Sequence, residues 1–568
     1  MNTSKTTKKV TTPKSFRVFD FYVDNKENRF YIQMFGINDK GETASITIDD
    51  YLPFFYFKVE EDWNEGQLRE FQRKINQSLL GPYDSQSKTF IYRAELVQHK
   101  QLYGFNAGKK FKFAKLTFQN TTNFNKVKMQ YYKKKGPFWN NKIEIYEANI
   151  PPLLRYFHIC EISPSGWVQI NQKKTRKVST PSTTCKYEFV CKTAEVIALH
   201  DKETPVPYKI CSFDIEASSS HGDFPVPVKT YKRLAMNIYD VYNKLLPDTA
   251  EQCNKMIKRS ILTAFGYDNM DDIDEVYPQV MPPKEVVLSI ADTLLSSALQ
   301  SIVIDEDTRK IYANNESMKK YCKDNNDDDE ELYDAKAVKR LTNKTTIVDL
   351  VMSASYSRDF KITTLDEKLT SLFTNFRLKG DEVTFIGSTF MKYGDKEPYF
   401  NHCLVVGSCD EVAGTQIDVC DSEKDLLSKW AELIASEDPD IIIGYNIFGF
   451  DYEFMFRRAL ANDICESFLQ LSRICNKPCK TFNNEICIEN TKVVLASGEY
   501  DLKYYTMEGR LQIDMYTYFR RDFNLASYKL DDVAGLYISD DIKKTECVYD
   551  TNGAQTTKLY SKNLTGLH

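Results

Sequence analysis

The stretch Tyr208-Lys-Ile-Cys-Ser-Phe-Asp-Ile-Glu216 restricts the fold of this chain more than any other. Ile210, Phe213 and Ile215 mark a short apolar strand, and Asp214 and Glu216 interrupt it. Side chains two apart on a strand share a face, which sets the two carboxylates side by side. Like charges on one face of a buried strand repel each other and resist desolvation. Two arrangements relieve this: the acids face solvent, or they face cations. A pair of divalent ions roughly 4 Å apart, held by such acids, activates water and stabilises a leaving oxygen in phosphodiester cleavage. Asp-x-Glu alone does not choose between the two.

The chain has 568 residues, enough for two or three domains, and its 42% hydrophobic content supplies a large core. A net charge of −5 provides no global field for a polyanion, so any nucleic-acid site has to be a local patch. No apolar run resembles a signal peptide or reaches transmembrane length. The 14 cysteines are scattered, and Cys475 and Cys479, with three residues between them, are the closest pair. They read as reduced thiols of an intracellular protein with no membrane partner.

Residues 1–14, rich in Lys, Thr and Ser, read as a disordered tail. From Phe16 the pattern is mostly strand. Phe16–Val23 and Phe30–Gly36 flank a polar turn and predict a hairpin, Pro53–Val59 predicts a strand, and Trp63–Leu80 predicts a helix closed by Gly81-Pro82. Lys109–Lys115 alternates basic and apolar side chains, and Tyr131-Tyr-Lys-Lys-Lys135 adds cations beside aromatic rings. Two readings stand for these: contacts to a phosphate backbone with rings for base stacking, or an edge strand guarded by lysines. Between about residues 228 and 365 helical periodicity appears at Leu234–Leu246 and Val286–Leu299, and the acidic run Asp327–Glu331 reads as a solvated loop. This segment reads as a helical insertion.

Strands return at Val383–Met391 and His402–Gly407. Ser422 and Asp425 open a helix whose apolar stripe is Leu426, Leu427, Trp430, Leu433 and Ile434. Ile441–Ile443 is a buried strand, followed by Gly444-Tyr-Asn-Ile-Phe-Gly-Phe-Asp451 and a second helix. This order predicts an α/β topology around a mixed sheet, with ligands outside the carboxyl ends of its strands. Asp451 fits that place either as a metal ligand or as a plain N-cap. Asn446 can hydrogen-bond a nucleotide, and Phe450 can stack a base.

Ser212-Phe-Asp-Ile-Glu216 together with Gly444–Asp451 resembles the first two exonuclease motifs of the family B DNA polymerases, Asp-x-Glu and Asn-x-x-x-Phe-Asp. Tyr146–Arg155 and Gly166-Trp-Val168 resemble the N-terminal domain of that family, and Gly509–Asp514 through Tyr528–Ala534 the stretch after its second motif. The likeness is greatest to the delta-like polymerases of large DNA viruses. It implies an α/β fold, α+β overall: a disordered tail at 1–14, a β-rich N-terminal domain at 15–205, a ribonuclease H-like 3′–5′ exonuclease domain at 206–540, and a truncated connection at 541–568. It implies that Asp214 and Glu216 hold a catalytic ion, that Asp214 also touches a second ion bound by Asp451, and that Asn446 and Phe450 position a primer 3′ end. Two Mg²⁺ or Mn²⁺ ions are the implied cofactors. Primer-template DNA with its single-stranded 3′ end, a C-terminal polymerase half and a sliding clamp are the implied partners, met where viral DNA is replicated.

The sequence departs from the family pattern in two ways. A fourth carboxylate is expected from a third motif, Tyr-x-x-x-Asp. Tyr528 and Asp532 have that spacing, but their context matches the segment that precedes the third motif, so the true motif is expected beyond His568. The polymerase palm signatures are also absent, which reads as the N-terminal part of a polymerase, a gene fragment or half of a split enzyme. A free-standing 3′–5′ exonuclease and a non-catalytic DNA-binding scaffold remain as alternatives.

Overall fold

The computed structural model describes the chain except residues 1–14, 27, 84, 86–87, 102–106, 139–142, 172–175, 179, 220–223, 305–307, 316–343, 479–480, 483–484, 496–497, 539–547, 550–554 and 557–568. The expected tail, the acidic run Asp327–Glu331 and nearly all of the connection at 541–568 lie outside the described residues.

The predicted hairpin is β1 (Ser15–Lys26) with β2 (Arg29–Ile37), and β3 (Thr43–Ile48) extends it antiparallel. Alternate residues Phe16, Val18, Ile32, Met34, Ile46 and Ile48 bury one face, as period-two patterning requires. Next comes a unit with its own core. It contains β4 (Phe54–Lys58), α1 (Glu65–Leu79), β5 (Arg93–Lys100), β6 (Lys110–Thr117), α2 (Thr121–Tyr132) and β7 (Glu144–Tyr146). Asn64 caps α1 by accepting from the Gly66 and Gln67 amides, and the Gln67 side chain accepts from the Asn64 amide in return. The strand order is β5-β6-β4-β7. The lysine-rich strand is therefore internal, paired on both sides, and the edge-strand reading is corrected. Two of its lysines find partners there: Lys115 Nζ is 4.2 Å from the Phe54 ring centroid, and Lys112 Nζ donates to the Trp63 carbonyl at 3.1 Å.

After α3 (Pro152–Cys160), the strands β8 (Trp167–Ile170), β9 (Arg176–Lys177), β10 (Tyr187–Cys191) and β11 (Val196–Leu199) complete the first sheet in the order β11-β8-β1-β2-β3-β10-β9. The chain then enters β12 (Lys209–Ser218), which carries Asp214 and Glu216. The insertion follows: α4 (Lys232–Leu245), α5 (Ala250–Ala264), α6 (Lys284–Ser296), α7 (Ile347–Met352) and α8 (Arg358–Leu372). These helices bury a separate core around Ile238, Ile257, Phe265 and Leu369. The expected boundary at 365 falls inside α8, and Phe376 and Leu378 still pack on that core.

The second large sheet is mixed, as expected. Its strands are β12, β13 (Glu382–Lys392), β14 (Phe400–Val406), β15 (Gln416–Cys420), β16 (Ile441–Gly444) and β21 (Leu511–Asp514), in the order β15-β14-β13-β12-β16-β21. Between β16 and β21 lie the hairpins β17 (Thr481–Phe482) with β18 (Glu485–Ile486), and β19 (Glu489–Leu495) with β20 (Gly498–Tyr504). Helices α9 (Glu423–Glu437) and α10 (Asp451–Ala461) cover one face through Leu426, Trp430, Ile434, Tyr452 and Met455. The short α11 (Cys465–Phe468), α12 (Met515–Asp522) and α13 (Leu530–Tyr537) complete the domain. Among the described residues no helix is long and apolar enough to cross a membrane.

The first sheet docks on this domain through Asp20, whose carboxylate accepts from the Gly509 amide at 2.6 Å. Gly509 has φ +86°, and a Cβ there would stand 2.8 Å from both Arg473 and Phe35, so the junction needs glycine. Burial pushes the Asp20 carboxyl up from 3.8 to about 6, against the lowering effect of its amide partners. A carboxyl raised in the folded state binds its proton more tightly folded than unfolded. Stability from this group is therefore present at low pH and lost as pH rises from 3.8 through about 6. Asp20→Asn keeps an acceptor for Gly509 and removes the titration. Chemical denaturation from pH 4.5 to 7.5 should show a flatter decline for this variant, relatively stabilised by about 1–3 kcal/mol at pH 7.5. Parallel curves would contradict this assignment.

Candidate active site

Residues Cys211, Phe213 and Ile215 of β12 point into the core, where Phe213 packs 5.0 Å from Trp430 and 5.6 Å from Tyr452 between ring centroids. Asp214 and Glu216 alternate with them and take the opposite face, Asp214 exposed and Glu216 half-buried. The parallel pairing of β12 with β16 runs from Ile210 opposite Ile441 to Ser212 opposite Ile443. Beyond this pairing the Ile215 amide donates to Asp451 Oδ1 at 3.3 Å. The two motifs, 236 residues apart, thus meet beside Asp214.

Asp451 is the first residue of α10, and Phe450 occupies the N-cap position without a side-chain capping bond. The plain N-cap reading of Asp451 does not hold. Only 2% of Asp451 is exposed, so its charge has little water to solvate it. Burial first, and then the charge of Asp214 and that of Asp514, hold its carboxyl well above the usual carboxylate range, despite the opposing pull of backbone amides.

The loop from β16 to α10 is a tight one. Gly444 has no room for a side chain: a Cβ would stand 2.3 Å from the Ile447 side chain and 3.0 Å from the Phe213 carbonyl oxygen. Asn446 adopts φ +65°, a left-handed conformation that asparagine tolerates better than most residues. Its carbonyl accepts from the Gly449 and Phe450 amides. The Phe450 ring stands between Phe224 at 5.7 Å and Phe454 at 5.2 Å.

Asp514 holds this loop, and sequence reasoning missed it. It ends β21 opposite Gly444, and its carboxylate accepts from the amides of Asn446 and Phe448, at 2.9 and 3.0 Å, and from those of Tyr516 and Thr517 at the start of α12. Burial raises its carboxyl to about 6, with the four amides pulling the other way. An Asp before the aromatic stretch Met515–Asp522 was readable as a helix cap. Its loop partners are backbone amides, which leave no mark on side-chain sequence.

Beside Asp214 and Ser212 lies a cavity of about 250 Å³ closed by Tyr445, Met515, Phe519 and Val533. Neither Tyr528 nor Asp532 is among the residues that line it. The Tyr528 hydroxyl donates to the Phe523 carbonyl and accepts from the Leu525 amide, so it is occupied within its own loop. Its carbonyl accepts from the Tyr445 hydroxyl. Asp532 is exposed in the first turn of α13. Among the described residues no three Asp, Glu, His or Cys side chains are gathered as a ready-made metal cage.

Asp514→Ala would strand buried amides at Asn446 and Phe448. Loss of about 2–4 kcal/mol in stability is expected, with faster amide hydrogen exchange concentrated between Tyr445 and Phe450. Asp514→Asn, which keeps one acceptor oxygen, should lose less. Unchanged exchange in that loop would contradict the clamp role.

Comparison with known proteins bears on these residues. The DNA polymerase family B exonuclease domain matches residues 143–261 and 314–533, stepping over part of the insertion, and the N-terminal domain of DNA polymerase delta catalytic subunit-like proteins matches residues 50–125. The DNA polymerase of Phaeocystis pouchetii virus is 38% identical over 619 residues, covering 99% of this chain and 58% of that protein. The DNA polymerase of Pyramimonas orientalis virus is 30% identical over 547 residues, covering 93% of this chain and 42% of that protein. The chain spans about half the length of these curated relatives. A solved family B DNA polymerase from Pyrobaculum calidifontis aligns with 92% of this chain and 39% of its own, at 12% identity and a TM-score of 0.44.

Proposed function

This chain belongs to DNA polymerase family B, whose N-terminal and exonuclease parts it carries, and we propose that its exonuclease domain, residues 206–540, removes mispaired nucleotides from primer 3′ ends. The reaction is hydrolysis of the terminal phosphodiester of frayed primer DNA. The observation that carries this reading is the bond from the Ile215 amide to Asp451, which joins the two acidic motifs at Asp214.

The donor set fits divalent ions. Its oxygens are hard ligands, and the charge of Asp214 bears on the buried Asp451 carboxyl, a repulsion that a divalent cation would relieve. Asp214 and Glu216 would hold one ion, and Asp214 and Asp451 the other. Bound Mg²⁺ or Mn²⁺ would activate the attacking water and neutralise charge on the leaving oxygen. The rest is the work of the chain itself. Asn446, set in its left-handed turn by Asp514, offers hydrogen bonds to the terminal nucleotide. Phe450, flanked by Phe224 and Phe454, gives the terminal base a face to stack on. The proposed partners are primer-template DNA, a C-terminal polymerase part that contains the palm, and a sliding clamp, and the proposed place of action is viral DNA replication.

A second reading, that residues 1–568 bind DNA without cutting it, is favoured by the lack of a three-ligand cage among the described residues. The two readings join if a fourth carboxylate, in a Tyr-x-x-x-Asp motif, comes from outside this chain. The occupied hydroxyl of Tyr528 supports assigning that role elsewhere.

In the complete enzyme Asp214→Ala should lower exonuclease activity by roughly 10²–10³-fold or more while leaving polymerisation largely intact. Equal loss of both in gel assays would argue against separate centres. The isolated chain should bind single-stranded 3′ ends yet degrade them slowly or not at all, and a C-terminal part carrying Tyr-x-x-x-Asp should restore cleavage. A nuclease time course on the isolated chain, its Asp532→Asn variant and the reconstituted pair decides this. Robust Mg²⁺-dependent degradation by the isolated chain that disappears in Asp532→Asn would make Asp532 the fourth ligand.

A further inference from the structure

We propose that the groove between the C-terminal end of α1 and α2 is a second nucleic-acid contact, one that grips the phosphates of single-stranded DNA away from the exonuclease centre. The proposal rests on reading this chain as part of a DNA polymerase, and it concerns a surface that the reading leaves unassigned.

The sequence separates its charges. Between Glu95 and Glu144 there are eleven lysines and no Asp or Glu, in a chain whose net charge is −5. The fold then divides these lysines between two surfaces. On the first, Lys109, joined by Lys58 from β4, shares a hollow with Glu60, Glu61 and Glu144, so local acids offset them. On the second, Lys126, Lys133 and Lys135 line a groove of about 540 Å³ together with Ser78, Asn125 and Met129, and no carboxylate lines it. Glu70 of the adjoining α1 is already engaged by Arg73 and Lys74. Lys126 also stands over the Phe90 ring at 5.5 Å, which Lys88 approaches at 5.4 Å, so a fourth cation borders the same surface.

The groove also carries contacts suited to a nucleotide rather than to a bare ion. Met129 in the groove is 48% exposed, giving sugar or base an apolar surface. Gln130 is buried in the groove wall, where its amide nitrogen donates to Ser78 Oγ at 2.6 Å and ties α2 to α1. Lysines after a helix also complement its dipole, but one cation at the terminus does that, and Lys133, Lys134 and Lys135 are consecutive. A volume of about 540 Å³ is in the range of small-ligand sites, enough for a short run of backbone and not for a duplex.

A fluorescent circular single-stranded oligonucleotide, which has no 3′ end, tests the groove in EDTA by anisotropy with the 568-residue chain between 50 and 200 mM NaCl. The triple variant Lys126→Ala, Lys133→Ala, Lys135→Ala should bind at least about 10-fold more weakly at 100 mM salt, with the slope of log K against log salt shallower by roughly 2. The corresponding triple arginine variant should keep the affinity and slope of the parent. The proposal is overturned if the alanine variant, with an unchanged melting temperature, binds the circle with parental affinity and slope. It is equally overturned if the lysines matter for anionic phospholipid vesicles and not for the circle. Mg²⁺-dependent cleavage of linear primer by the complete enzyme separates the two readings. Cleavage intact with lysine-independent circle binding removes only this proposal, and lysine-dependent circle binding without cleavage removes only the exonuclease reading.

Discussion

The register of β12 against β16 is the constraint on which the rest depends. Ile210 opposite Ile441 sets how far β12 runs past the end of its neighbour, and so which amide meets Asp451. A slip of one residue would turn Asp214 into the core and Phe213 out of it. Buried charge pins this register at the start of the strands. The Asp440 carboxylate accepts from the Lys209 amide at 2.8 Å and pairs with Arg473 at 2.9 Å, while Arg510 pairs with Asp438 at 2.9 Å. Both arginines are almost fully buried. Removing one partner of such a group strands a buried charge, so the group disfavours any alignment that leaves one of its members unpaired. At the other end Asp514 does the same for the loop, so acids frame the three parallel strands at both ends.

Arg473 extends this frame to the first sheet. Its carbonyl accepts from the Thr184 amide and its amide donates to the Glu508 carbonyl, next to the glycine that Asp20 engages. The N-terminal domain is therefore built against the residues that set the register of the site. Two contacts lead from this junction to the start of β12: Arg473 to Asp440, and Asp440 to Lys209, the first residue of that strand.

The strands, the α9 stripe and the acidic motifs were legible because each writes a period or a spacing into side chains. What escaped notice did so for physical reasons. Asp514 acts on backbone amides. Helix α8 shows no apolar stripe because Lys361, Thr364 and Asp366 are buried along with Leu365 and Leu369, so the end of the insertion had no periodic signal. The lysines of β6 looked like edge guards because composition reports charge and not its partners, the Phe54 ring beneath Lys115 and the Trp63 carbonyl at Lys112. Asp451 could be read as a cap from sequence, since any acid at the start of a helix fits; only the position of Phe450 in the N-cap place separates the two.

The insertion shows how a large addition can leave such a frame undisturbed. β12 and β13 are antiparallel neighbours, Ser218 opposite Glu382, so the chain leaves and returns at adjacent points where a hairpin turn would suffice. Closing a long loop between adjacent ends grows only slowly in entropic cost with length, and a loop with its own core recovers that cost. The neck is fastened at Asp381, whose carboxylate accepts from the Val226 amide and pairs with Lys229. It is narrow at Gly380, where a Cβ would overlap the Pro227 carbonyl, the same oxygen that accepts from Arg458. Arg458 belongs to α10, and Phe224 on the outgoing segment of the neck meets Phe450 at the start of that helix. The insertion is thus independent in its core but joined at its neck to the helix that begins with Asp451. Phe224 and Arg458 tie the neck to α10, in addition to its covalent joins to β12 and β13.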